Sequence, residues 1–206
     1  GEQQAAAKTY ERSVALFTAL DDRRGHGNAL ALLALSGPSY QSACTTPFAS
    51  PLVADELRSP KSVRFAREIG WRAGETFARF LVANCLAWRG DYGRALSMGR
   101  EALAQAEEIE HLEWTSGSLR LLGVLSLEVL APHDARKHLE QAHRIALRLG
   151  SRLWIRWTAA PLAVAHARTS DIAGALEPIE RAMRLGLSPD DGTPAGPESE
   201  SLTLGQ

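Results

Sequence analysis

Several classes of function lack their raw material in this sequence. Cysteine occurs only twice, as Cys44 and Cys85, without the spacing of a zinc site or a disulfide framework, so free thiols in a reducing compartment are expected. Charge of one sign is missing too: 23 basic residues face 24 acidic ones, for a net charge of −1. Without a basic stripe, no direct nucleic-acid partner is expected. Long apolar runs are absent. The most apolar stretches, 29–35 and 121–131, are too short to span a bilayer, so no membrane partner is expected either. The opening Gly1-Glu2-Gln3-Gln4 lacks the basic and apolar regions of a signal peptide. Together these absences predict a cytoplasmic protein.

The groupings that suggest chemistry dissolve when their spacing is considered. Gly25-His26-Gly27-Asn28 has no third glycine, Lys-Ser/Thr pair or preceding strand, and reads as a turn opening a helix rather than a phosphate loop. His133, His138 and His143 are spaced by five. On a helix each is rotated about 140° from the last, so they cannot share a face as metal ligands would and read as solvated. Glu107 and His111 have i, i+4 spacing, with Glu108, Glu110 and Glu113 nearby; a charged exposed face explains them better than zinc does. No nucleophile–base constellation is visible. Neither an enzyme nor a cofactor is expected.

What the chain does contain is repetition. Gly90-Asp91-Tyr92-Gly93-Arg94-Ala95-Leu96, Pro132-His133-Asp134-Ala135-Arg136 and Ser170-Asp171-Ile172-Ala173-Gly174-Ala175-Leu176 hold matching places. Ala95, Ala135 and Ala175 recur at intervals of 40, as do Ala102, Ala142 and Ala182. A fixed period of this size signals a stacked-repeat architecture. Apolar periodicity and the breaks at Gly90, Ala131-Pro132, Gly150 and Thr169-Ser170 predict helices at 72–89, 92–110, 113–130, 133–149, 153–168 and 171–186. Earlier helices are expected at 3–20, 23–35 and 60–69. The first reads as the second member of a hairpin whose first member is absent, so the chain is expected to be a piece of a longer one.

Each unit is then a pair of antiparallel helices joined by a short turn. Small residues, Ala83, Gly123 and Ala163 on first helices and the alanine series on second ones, mark close crossings. Val82, Leu86, Leu122, Leu139, Leu162 and Ile179 fill the space between. The repeat domain is expected over 1–187. Within it an irregular, proline-punctuated insertion spans about 37–60, with a short helix near 50–58. This insertion is either a surface loop or one that reaches over a groove. Residues 188–206 read as a flexible tail. Its Leu202-Thr203-Leu204 is one candidate cover for Ile172, Leu176 and Met183 on the last helix.

These positions resemble the tetratricopeptide repeat (TPR). The family's Leu-Gly pair falls on Leu122-Gly123, its two small second-helix positions on Ala135 and Ala142, and its bulky one on Leu139. The unit departs from the family in being 40 residues long rather than 34. That length, with Tyr10-Glu11-Arg12-Ser13-Val14-Ala15-Leu16-Phe17 leading into Leu20-Asp21-Asp22-Arg23-Arg24-Gly25, resembles the long-repeat arrays of bacterial ATPase transcriptional regulators of the MalT and LuxR kind.

The resemblance implies an all-α, right-handed superhelical solenoid of four to five helix pairs. It implies a non-catalytic protein- or peptide-interaction or sensor module of a larger signalling regulator; the alternative is a small-molecule effector receptor. Partners would be a protein or peptide, or neighbouring domains of the parent chain. In this family the first helix of each pair lines the concave groove, which here implies Phe77, Phe80, Asn84, Arg120 and Trp157 as partner-binding residues. Their alternative role is packing between helices. Trp71, Trp114 and Trp154, at helix starts, are expected in the core.

Overall fold

The computed structural model describes residues 2–36 and 61–186. The 37–60 insertion, its expected helix near 50–58 and the 188–206 tail lie outside the described residues. Those described form nine α-helices: α1 (Glu2–Ala19), α2 (Arg23–Ser36), α3 (Lys61–Glu68), α4 (Arg72–Trp88), α5 (Tyr92–Glu108), α6 (Leu112–Glu128), α7 (Pro132–Leu149), α8 (Arg152–Arg168) and α9 (Ile172–Gly186). Each packs on its sequence neighbour, and the first helices α4, α6 and α8 also touch one another in succession. The result is an all-α stack of successive antiparallel pairs.

The 40-residue period has a local cause. Gly70, Gly90, Glu110, Leu130, Gly150 and Ser170, each 20 residues from the next, all have left-handed backbone, with φ from 55° to 78°. At Gly90 the turn closes with two bonds, Gly90 N–H to Ala87 O (2.9 Å) and Asp91 N–H to Leu86 O (3.0 Å). The same pair of bonds recurs at Gly70/Trp71, Glu110/His111, Leu130/Ala131 and Ser170/Asp171. This arrangement satisfies carbonyls that the helix end leaves open and reverses the chain. The residue after each turn then starts the next helix. Asp91, His111, Ser151 and Asp171 accept the backbone N–H three residues on, a cap worth about 1 kcal/mol when made by Ser or Asp. Helices α4, α5, α6 and α8 are each 17 residues long. A three-residue link brings each to 20, and two make the repeat.

Packing follows the small residues. Ala95, Ala102 and Ala106 on α5, and Ala135, Ala142 and Ala146 on α7, are fully buried, so these helices approach their neighbours backbone-close. On the facing side, Gly123 of α6 leaves room for Leu139 of α7: a Cβ on Gly123 would stand 2.9 Å from Leu139 Cδ2. Helix α6, in the middle, is buried almost all round. Val82, Leu86, Leu122, Leu139 and Leu162 are core residues, whereas Ile179 is 39% exposed because no described helix packs beyond α9.

Candidate partner-binding surface

The five candidate residues occupy two environments. Phe77 and Phe80 are buried in an aromatic row that runs from repeat to repeat. Phe77 stacks on Trp114 with centroids 4.6 Å apart, and Phe80 lies between Trp114 and the edge of Trp154, at 6.3 and 6.4 Å. Trp114 and Trp154 are buried, as expected. Gly117 admits the second of them, since a Cβ there would stand 2.8 Å from the Trp154 ring. Trp154 Nε1 donates to Glu113 Oε1 at 2.9 Å, which satisfies its one polar atom. In the preceding repeat glycine stands at the equivalent position, Gly74, and Trp71 fills the space.

Asn84, Arg120 and Trp157 remain at the surface. Asn84 and Arg120 are half-buried and Trp157 is 47% exposed. Asn84 Nδ2 donates one hydrogen to Phe80 O at 2.8 Å, which leaves the acceptor Oδ1 and the second Nδ2 hydrogen to offer a partner. Arg120 and Trp157 belong to different repeats and are joined. The guanidinium carbon sits 5.7 Å from the Trp157 ring centroid, and Nε donates to Trp157 O at 2.8 Å. Pro161 supplies the reason. It lies inside α8, four residues after Trp157, and has no N–H with which to bond that carbonyl. The proline frees an acceptor in mid-helix, and Arg120 takes it. Residue spacing alone did not find this latch; the signal that could have was Pro161, four residues past an aromatic.

Other groups settle into structural roles. Glu75 is buried and accepts from Arg67 (2.8 and 3.0 Å), Arg79 (2.7 Å) and Gln105 (3.2 Å), tying α3, α4 and α5 together. Burial disfavours its ionised form, but the hydrogen bonds from Arg79, Arg67 and Gln105 outweigh that and hold the carboxyl below its ordinary range. Arg136 on α7 reaches Asp171 at 3.0 Å, at the start of α9, and Thr169 at 3.4 Å.

One expectation needs correcting. His143 is not solvated: it is buried, with Nδ1 2.7 Å from Thr158 Oγ1 and Nε2 unpartnered. Burial lowers its pKa. The charges near His111 do form an exposed face at Glu107, Glu108 and Glu110; in addition His111 caps α6 and stacks on Trp114, Glu108 pairs with Arg72, and Glu113 holds Trp154. Gly25–Asn28 lie within α2, where Gly25 makes room for the Phe17 ring. Among the described residues no group of three or more His, Cys, Asp or Glu is placed to hold a metal, and no helix is long and apolar enough to cross a membrane.

The stack of helix pairs can be set beside solved structures. A crystal structure of BtubC (BKLC) from P. vanneervenii is similar over 100% of this chain and 99% of its own, with a TM-score of 0.55 and 14% identity. The fold is TPR-like. A crystal structure of MamA is also similar, over 87% of this chain and 91% of its own, with a TM-score of 0.46 and 12% identity. No protein-family model and no curated protein sequence matches the chain.

Proposed function

We propose that this TPR-like array is a non-catalytic scaffold that binds a peptide or protein segment at the surface carrying Arg120, Trp157 and Asn84. The observation that carries this reading is the Arg120–Trp157 latch. A cationic group held against a partly exposed indole gives a partner both a charge to pair with and an apolar plate to cover. Trp and Arg are the residue types that dominate binding energy at interfaces. The segment that fits is extended, with a carboxylate for Arg120, an apolar side chain for Trp157 and a backbone N–H for Asn84 Oδ1. Phe77 and Phe80 contribute by setting the spacing of α4, α6 and α8 beneath the surface.

The phrases 10–17 and 20–25 support placing the segment in a larger bacterial regulator, where partner binding would be its sensing event. Peptide display against the whole chain tests the scaffold reading. Enriched sequences should pair an acidic with an apolar residue. Enrichment of basic peptides, or none at all, would count against it.

A further inference from the structure

We propose that the outer face of α9 is a self-association surface, on which a second copy of the chain packs α9 against α9 about a two-fold axis. Ile172, Leu176, Ile179 and Met183 are 63, 56, 39 and 59% exposed. Their spacing of four, three and four aligns them as one stripe along the helix. In the interior repeats the matching stripe is covered by the next helix pair. On α7 it comprises Pro132, Arg136, Leu139 and His143, of which Leu139 and His143 are buried. On α5 the matching Gly99 lies against α6, its Cβ position 3.1 Å from Leu122 Cδ2. The face of α9 thus matches faces that pack, at least in part, against the next helix pair in the interior repeats.

Its chemistry points to a copy of itself rather than to a further repeat. The α7 stripe fixes the following pair with polar groups, Arg136 to Asp171 and His143 to Thr158. At the two equivalent places α9 carries Leu176 and Met183, which cannot set such a register. The four-three-four spacing reads the same in both directions. An antiparallel pair with its axis between Leu176 and Ile179 sets Ile172 of one copy opposite Met183 of the other, and Leu176 opposite Ile179. An isologous interface needs this self-complementarity. Together these four residues expose an area on the order of 400 Å², the size of a monomer's largest apolar patch and about the apolar share of one half of a standard interface.

Sedimentation of the whole chain from 1 to 100 µM tests this. The chain should be dimeric at the upper end. Leu176→Glu, at an exposed position, should weaken the dimer at least tenfold with unchanged helicity and, at concentrations where both proteins are monomeric, an unchanged melting temperature, while Arg120→Ala should leave it intact, separating this surface from the peptide site. In a Cys44→Ser/Cys85→Ser background, Ile172→Cys mixed with Met183→Cys should crosslink more than either alone. A monomer at 100 µM, whether the face is then bare or covered by residues 187–206, overturns the proposal. So does a dimer that ignores Leu176→Glu, or crosslinking no better in the mixture.

Discussion

Arg120 of α6 donates to the backbone carbonyl of Trp157 in α8 because Pro161 cannot. Pro161→Ala restores the intrahelical N–H and sets it in competition with Arg120. It should stabilise the fold by about 1–3 kcal/mol, the usual penalty of an interior proline, while loosening Arg120 from Trp157. Thermal melts and the Arg120 side-chain NMR signals check both halves. A variant no more stable than the parent, with Arg120 still fixed, would show that the proline does not make the latch.

Gly123 sits so close to Leu139 that any side chain there must displace it. Gly123→Ala should cost about 1–3 kcal/mol through overpacking, although alanine is the better helix former by about 1 kcal/mol. Pairing it with Leu139→Ala should recover part of the loss. Additive losses in chemical denaturation would remove Gly123 from that crossing.

Leu130 carries left-handed backbone at φ 59° and is 81% exposed, so it bears conformational strain without compensating burial. Leu130→Gly should stabilise by roughly 0.5–1 kcal/mol, the relief of a left-handed β-carbon less the extra freedom glycine gains on unfolding. Gly90→Ala, at φ 78°, should go the other way by a similar amount. If both changes lower the melting temperature, the turns do not set the period as described.

Much of this architecture was legible in the sequence, for identifiable reasons. The alanines at 95, 135 and 175 and at 102, 142 and 182 show where helices touch, and glycine or proline marks three of the breaks. The 20-residue turn was harder to see, because Glu110, Leu130 and Ser170 take a glycine's conformation under the control of backbone hydrogen bonds. The helix ends expected at 110 and 130 accordingly lie about two residues beyond the observed ends, Glu108 and Glu128. The site was less legible. Periodicity gives the face of a helix but not what stands opposite, so Phe77 and Phe80 could not be separated from Trp157, nor His143 from a surface histidine.

His143 makes stability depend on pH. Its pKa is lowered in the fold, mainly by burial; on α9, Glu177 favours the charged form and Arg181 opposes it. The neutral form is the stable one. The contribution is therefore complete above its ordinary value of about 6.5 and is lost as pH falls from there toward the lower folded value. His143→Gln should flatten that part of the stability curve. Identical pH profiles for parent and variant would contradict this.

Glu75 acts at lower pH. Its pKa is also lowered, so its contribution is present above the ordinary carboxyl value and lost as pH falls through the folded one. Glu75→Gln should cost about 2 kcal/mol at neutral pH, since Arg67, Arg79 and Gln105 lose the charge they share. Denaturation at pH 7 that shows no loss would make the cluster incidental.

The scaffold reading is tested most directly by calorimetric titration of one display-selected acidic peptide into the parent, Arg120→Lys and Arg120→Ala. The expected result is at least a tenfold loss of affinity in Arg120→Ala, about 1.4 kcal/mol. Arg120→Lys should fall between, keeping the charge but losing the planar guanidinium that lies over Trp157. Equal affinity in all three proteins would mean that the surface joining Arg120 to Trp157 holds the array together and binds nothing.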